Sequence, residues 1–181
     1  MIRPPERGRP LVMGILNVTP DSFSDGGEWF ETDRAIARGH DMIDQGADIV
    51  DVGGESSRPG ARPVDTDEEL RRIVPVVQAL AGAVRVSVDT VKADVAGAAL
   101  AAGATLVNDV SATLWSVAAE HGAGWVAMHR RGTPADMQDD PTYDDVVADV
   151  SAFLVARAEE ARAAGVEEIW IDPGIGFGKT A

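Results

Sequence analysis

Asp89, Asn108 and Asp172 each close a short apolar run, and side chains of these types at three strand ends could grip one edge of a flat heterocycle. Carboxylates accept hydrogen bonds, while an amide both donates and accepts, so an amidine-like edge with adjacent N–H donors and a carbonyl would match the set. Buried polar groups left unpaired cost roughly 1–3 kcal/mol each, so such a site would reject rings lacking that edge. The competing reading makes each a strand-end carboxylate or amide capping the next helix, and Asp89 before Thr90 fits it. For one residue alone capping is the better reading; for the three together a site is.

Two polar loops add further chemistry. The run Met13-Gly14-Ile15-Leu16-Asn17-Val18-Thr19-Pro20-Asp21-Ser22-Phe23-Ser24-Asp25-Gly26-Gly27 turns from an apolar strand into a loop rich in special residues. Its Asn17 amide oxygen could join an Mg²⁺ shell completed by waters and phosphate, or could cap the strand through backbone hydrogen bonds. In Glu55-Ser56-Ser57-Arg58-Pro59-Gly60 a guanidinium beside two hydroxyls suits a diphosphate, although a solvated surface Arg is an equal alternative. The stretch Asp172-Pro173-Gly174-Ile175-Gly176-Phe177-Gly178-Lys179-Thr180 resembles a P-loop only superficially. Pro173 stands where that motif requires its first Gly. Its glycines are read as letting backbone approach a flat ligand, with Phe177 as an apolar wall. His129-Arg130-Arg131-Gly132 reads as a solvated loop.

The elements that must position these residues repeat along the chain. Gly46, Gly82, Gly103, Gly122 and Gly165 each precede an apolar run and are expected to end helices in the left-handed conformation. Six strands are expected, over Leu11–Leu16, Asp48–Val52, Val84–Val88, Thr105–Val107, Gly124–Met128 and Ile169–Ile171. Between them run helical periodicities. Leu70, Ile73, Val74 and Val77 form one stripe, introduced by a Thr66-x-x-Glu69 capping box and interrupted by Pro75, which should bend the helix. Val146, Val147, Val150, Phe153 and Leu154 form another.

Helices alternating with short, continuously apolar strands indicate a parallel sheet. Polar residues follow every strand: Asn17, Asp51, Asp89, Asn108 with Asp109, His129 and Asp172. Both a (β/α)8 barrel and a doubly wound sheet place ligands at that end. A complete (β/α)8 barrel takes about 250 residues. The expected fold is therefore α/β, a TIM-type (β/α)8 barrel with only about six βα units present, incomplete at its C-terminal side or needing a partner. Residues 1–10, with three Arg and three Pro, are expected to form a flexible tail ahead of a barrel domain over 11–181.

With 181 residues and 45% hydrophobic content, the chain can bury the core of a single domain. A net charge of −14 and a pI near 4.4 argue against a nucleic-acid partner, and an anionic substrate would need a locally basic pocket. The absence of Cys excludes disulfides and thiolate metal sites and fits a reducing cytoplasm. No apolar run reaches the roughly 18 residues that span a bilayer, so no membrane association and a cytoplasmic location are expected.

Taken in order, the Asn17–Gly27 loop, Gly53–Gly60, Ser87-Val88-Asp89-Thr90, Asn108-Asp109-Val110, Met128-His129 and Asp172–Lys179 closely resemble the signatures of the dihydropteroate synthase family of pterin-binding enzymes, from about Leu11 to Thr180. The resemblance implies a (β/α)8 barrel that joins 6-hydroxymethyl-7,8-dihydropterin diphosphate to 4-aminobenzoate, releasing diphosphate, with sulfonamides competing for the aminobenzoate site. It implies that Asp89, Asn108 and Asp172 hold the pterin with Met128 and Phe177 lining its pocket, and that Asn17 binds Mg²⁺ and diphosphate. Ser57 and Arg58, with Phe23 and Pro59, would meet aminobenzoate and diphosphate, and Asp25 would assist an SN1-like displacement. Family members are commonly homodimers, through contacts of late helices.

Two departures from the pattern stand out. Ser111–Gly122 is shorter than the family's usual stretch and lacks its Gly pair, and the family's later Ser-Arg-Lys and Arg-x-His motifs have no counterpart here. Two rival readings follow: a truncated, non-catalytic paralogue that binds pterin or pairs with a complete synthase, and a pterin-dependent methyltransferase. The latter would not need the Asp21–Asp25 loop or Glu55–Gly60.

Overall fold

The computed structural model describes residues 9–19, 28–56, 63–132, 137 and 141–179. Among them six strands and five helices alternate: β1 (Met13–Asn17), α1 (Glu28–Asp44), β2 (Ile49–Gly53), α2 (Thr66–Leu80), β3 (Arg85–Asp89), α3 (Ala93–Ala101), β4 (Leu106–Asp109), α4 (Trp115–Glu120), β5 (Gly124–Met128), α5 (Val146–Ala163) and β6 (Ile169–Asp172). All strand pairs are parallel and the spatial order is β1-β2-β3-β4-β5-β6. A doubly wound sheet would reverse its strand order at a switch point. Strict sequential order is instead that of a barrel wall, here open between β1 and β6.

Side chains alternate across this wall. Val50, Val52, Val86, Val88, Val107 and Trp125 face the helices and pack with Ile73, Val76, Val77, Leu80, Val95 and Ala99 in the main core. On the concave face, Ile49, Leu106 and Val126 form a second cluster with Leu11 and Met13, which floors the barrel interior.

Every strand but β5 runs one or two residues further toward its polar end than the apolar run alone predicts, so Asn17, Asp89, Asn108, Asp109 and Asp172 belong to the ladder itself. Other expectations need correction. The N-cap of α2 is Asp65, whose Oδ1 accepts from Asp67 N at 3.0 Å, so Thr66 opens the helix proper and no capping box forms. Glu69 is free to turn inward, where it is 1% exposed. Pro75 lies inside α2 on its exposed side, and the helix continues past it to Leu80. Gly82 does not take the left-handed conformation that Gly46, Gly103, Gly122 and Gly165 adopt.

In the α5 stripe, Val150 and Leu154 are buried, whereas Val146 and Val147, in the first turn, are exposed. They line an apolar groove of about 460 Å³ with Pro173 and Ile175. Among the described residues no helix is long and apolar enough to cross a membrane. Arg9 closes on Asp48 through two hydrogen bonds of 2.5 and 2.7 Å, and this guanidinium holds the Asp48 carboxyl below the usual carboxylate range.

Asp109 shows how the pleat assigns roles. It faces the helices, fully buried, and accepts from Ser111 N and Oγ, Thr113 N, Leu114 N and Trp125 Nε1 at 2.5–3.1 Å. It therefore organises the turn into α4 and anchors Trp125, which stacks edge-on against Trp115. Asp109→Ala should strand several buried donors and lower unfolding free energy by about 3 kcal/mol or more, read from urea denaturation.

Candidate active site

One row of the ladder carries the concentrated chemistry. Asn17 pairs with Gly53, Gly53 with Asp89, and Asp89 with Asn108, so four neighbouring strands present these residues at one level near their carboxyl ends. All lie in the pleat phase of the interior residues Ile49, Leu106 and Val126. Gly53 leaves a notch: a Cβ added there would stand 3.5 Å from Asp89 Oδ2 and 3.7 Å from Asn17 Oδ1. Met128 and Asp172, paired on β5 and β6, stand on the same face one layer nearer the rim. The structure thus brings Asn17, Asp89, Asn108, Met128 and Asp172 to one concave surface. Asp172 also serves its own loop, accepting from Gly174 N at 2.7 Å. Phe23, Asp25, Ser57, Arg58 and Pro59 lie outside the described residues.

The notch fits a hard cation with few protein ligands. Asn17 offers an amide oxygen and Asp89 a carboxylate oxygen, and no group of three or more His, Cys, Asp or Glu able to hold a metal occurs among the described residues. Mg²⁺ suits such a sparse set, since it keeps several waters and takes the rest of its shell from substrate phosphates.

Residues that sequence patterns did not single out support this row. Asp51, one layer below Gly53, is 1% exposed and accepts from Asn108 Nδ2 at 2.8 Å. Lys92, just past β3, donates to Glu55 Oε2 at 2.6 Å, to Val64 O at 2.8 Å and to buried Glu69. Glu69 also accepts from Thr90 Oγ1 at 2.8 Å, and Glu55 accepts from Val64 N at 2.9 Å. One ammonium therefore joins both ends of the segment between β2 and α2 to the turn that follows Asp89. Gly54 makes this closeness possible, because a Cβ there would meet Ile73 Cγ2 at 2.8 Å and Glu69 Cγ at 2.9 Å. Sequence patterns named Asp51 as a strand-end residue, Glu55 as part of a loop and Glu69 as a capping-box member, none in these roles, and gave no signal for Lys92.

The glycine-rich loop after β6 also departs from expectation. Gly174 (φ 64°) and Gly178 (φ 64°) pack on the β5 loop rather than leaving room for a ligand, and a Cβ at either would stand 2.1 Å from His129 O or 2.3 Å from Arg131 O. Lys179 donates to the carbonyls of His129, Gly174 and Phe177 at 2.9–3.1 Å, a structural clasp unlike a phosphate-binding lysine. His129 is buried rather than solvated, its ring edge-on to Phe153 at 5.0 Å, and burial lowers its pKa. Phe177 is half-buried within this loop.

Four acidic groups converge on Asp89. Burial, followed by the charges of Asp51, Glu69, Asp109 and Glu55, pushes its carboxyl up to about 8, although its side chain keeps some solvent contact. Burial raises the Asp51 carboxyl as well, opposed by the Ser87 hydroxyl and then by the Asn108 amide. An unfolded Asp releases its proton near pH ~4. The stability tied to protonated Asp89 is therefore complete below that value and is lost as pH rises through about 8. Urea midpoints should fall between pH 5 and pH 9, and Asp89→Asn should flatten the fall and exceed the unsubstituted chain at the alkaline end.

Residues 13–181 match the model of the family described as pterin binding enzyme. The chain is 47% identical over 182 residues to the dihydropteroate synthase of Synechocystis, covering 96% of this chain and 63% of that protein. Among solved structures, Yersinia pestis dihydropteroate synthase in a sulfonamide drug complex superimposes with a TM-score of 0.87 at 46% identity, over 96% of this chain and 68% of that one. The Burkholderia cenocepacia enzyme complexed with 7,8-dihydropteroate gives 0.81 at 48%, over 96% and 61%. The chain spans about 63% of the curated relative's length. Matched from its first strand to its last loop, and carrying its polar residues where such barrels bind ligands, it belongs to the pterin-binding enzyme family.

Proposed function

We propose that this chain forms the pterin-holding part of a dihydropteroate synthase, condensing 6-hydroxymethyl-7,8-dihydropterin diphosphate with 4-aminobenzoate. The observation that carries the reading is the Asn17–Gly53–Asp89–Asn108 row with Asp172 on the same face. A pterin edge of N–H donors beside a carbonyl meets acceptors at Asp89 and Asp172 and a donor–acceptor amide at Asn108. The solved relative from Burkholderia holds 7,8-dihydropteroate, and one from Xanthomonas albilineans holds 4-aminobenzoic acid.

In this reading the bond between the pterin methylene and diphosphate oxygen breaks, a methylene–nitrogen bond forms to the arylamine, and the amine loses a proton. Asp89 and Asp172 orient the ring and offset positive charge developing on it. Mg²⁺, when bound at Asn17 with diphosphate, would neutralise charge on the leaving group. Arg58 and Ser57 would add donors to diphosphate and aminobenzoate, and Phe23, Pro59 and Asp25 would complete the site as the resemblance implies.

The test uses the 181-residue chain and its Asp89→Asn variant. Titration with 6-hydroxymethylpterin, followed by its fluorescence, should show binding that Asp89→Asn weakens by about tenfold or more. Diphosphate release with the pterin diphosphate, 4-aminobenzoate and Mg²⁺ should fall in parallel. Pterin binding without any diphosphate release would favour the non-catalytic paralogue, and no pterin binding by the folded chain would overturn the proposal.

A further inference from the structure

The floor beneath the candidate site holds a buried acid to which none of the steps above assigns a part. Asp51 lies in the middle of β2, with Ser87 of β3 beside it in register. Asp51 Oδ1 and Ser87 Oγ are both buried and neither makes a hydrogen bond of good geometry among the described residues, although the Ser87 hydroxyl lies near enough to act on the Asp51 carboxyl. The other carboxylate oxygen, Oδ2, accepts from Asn108 Nδ2 at 2.8 Å. An acid this secluded in a wall otherwise packed with Val, Ile and Leu costs stability unless it does something for a neighbour.

An Asn side chain can turn either end of its amide toward a ligand, presenting mainly an acceptor or mainly a donor. Asn108 stands in the row that faces the notch, and its backbone lies in the ladder opposite Asp89. Because Nδ2 donates downward to Asp51 Oδ2 at 2.8 Å, Oδ1 is the end of the amide turned to the pocket. Gly53, directly above Asp51 on β2, leaves the acid unroofed by any side chain of its own strand.

We infer that Asp51 is a positioning residue that fixes the Asn108 amide, so that the pocket offers an acceptor oxygen and one remaining N–H at that point. It thereby selects ligands whose edge presents a donor there. The inference rests on the pterin reading for the ligand's identity, but not for the orientation of the amide.

Asp51→Asn separates this role from a merely structural one. The substitution preserves shape and removes a secluded carboxyl, so the urea midpoint at pH 7 should hold or rise. The Asn108 side-chain amide, assigned by 15N NMR in the ligand-free chain, should show one downfield, exchange-protected proton that Asp51→Val, which leaves no acceptor at this position, abolishes. Affinity for 6-hydroxymethylpterin should fall by about tenfold in that variant, the size expected when one oriented hydrogen bond is lost. Unchanged Asn108 amide signals in Asp51→Val would overturn the inference whether or not any pterin binds. So would parallel losses of stability and affinity, or unaltered affinity. Failure of the unsubstituted chain to bind pterin would count against the proposed function alone, since the amide signals still decide the role of Asp51.

Discussion

The in-register parallel ladder governs the rest of this structure. Parallel pairing without slips aligns Asn17, Gly53, Asp89 and Asn108 across four strands, and the two-residue pleat turns the whole row to one face. A shift of one residue would exchange Asn108 for Asp109, and these neighbours do opposite work. Asn108 looks into the concave interior, whereas Asp109 is spent on the turn to α4 and on the Trp125 indole. Register therefore fixes which polar residues can meet a ligand and which hold the wall together.

That arrangement gathers acids in a protein that is already strongly acidic. The structure tolerates them through two devices. Lys92 lies among Glu55, Glu69 and the Val64 carbonyl, turning a potential repulsion into a joint between the β2 loop, α2 and the β3 turn. Protonation of Asp89 is the second, since burial and the charges of the surrounding acids push its carboxyl up to about 8.

Much of the fold was legible in the residues. Apolar runs ending on Asn or Asp located every strand to within two residues, and the alternation with helical stripes indicated parallel pairing. Asn17, Asp89, Asn108 and Asp172 could be nominated because strand-end polar residues in such sheets face ligands, and Met128 only through the family resemblance. Asp51 was visible only as one more polar residue near a strand end, with nothing to mark it as the support of Asn108. Glu69 and Lys92 are 23 residues apart and meet only because α2 and the β3 turn pack together. The glycines of the last loop misled, since their role is contact with the backbone of a different loop.

The sequence by itself determined the repeating βα units, the family signatures and the residue types available at each strand end, because these depend on local periodicity and composition. Only the tertiary structure decided between barrel wall and doubly wound sheet, since strand order is a property of pairing over long distances. It also decided which carboxylates face the concave surface, which hold a turn and which accept from an amide. Those roles arise from pleat phase, burial and through-space charge, and none of the three is encoded at one position of a chain.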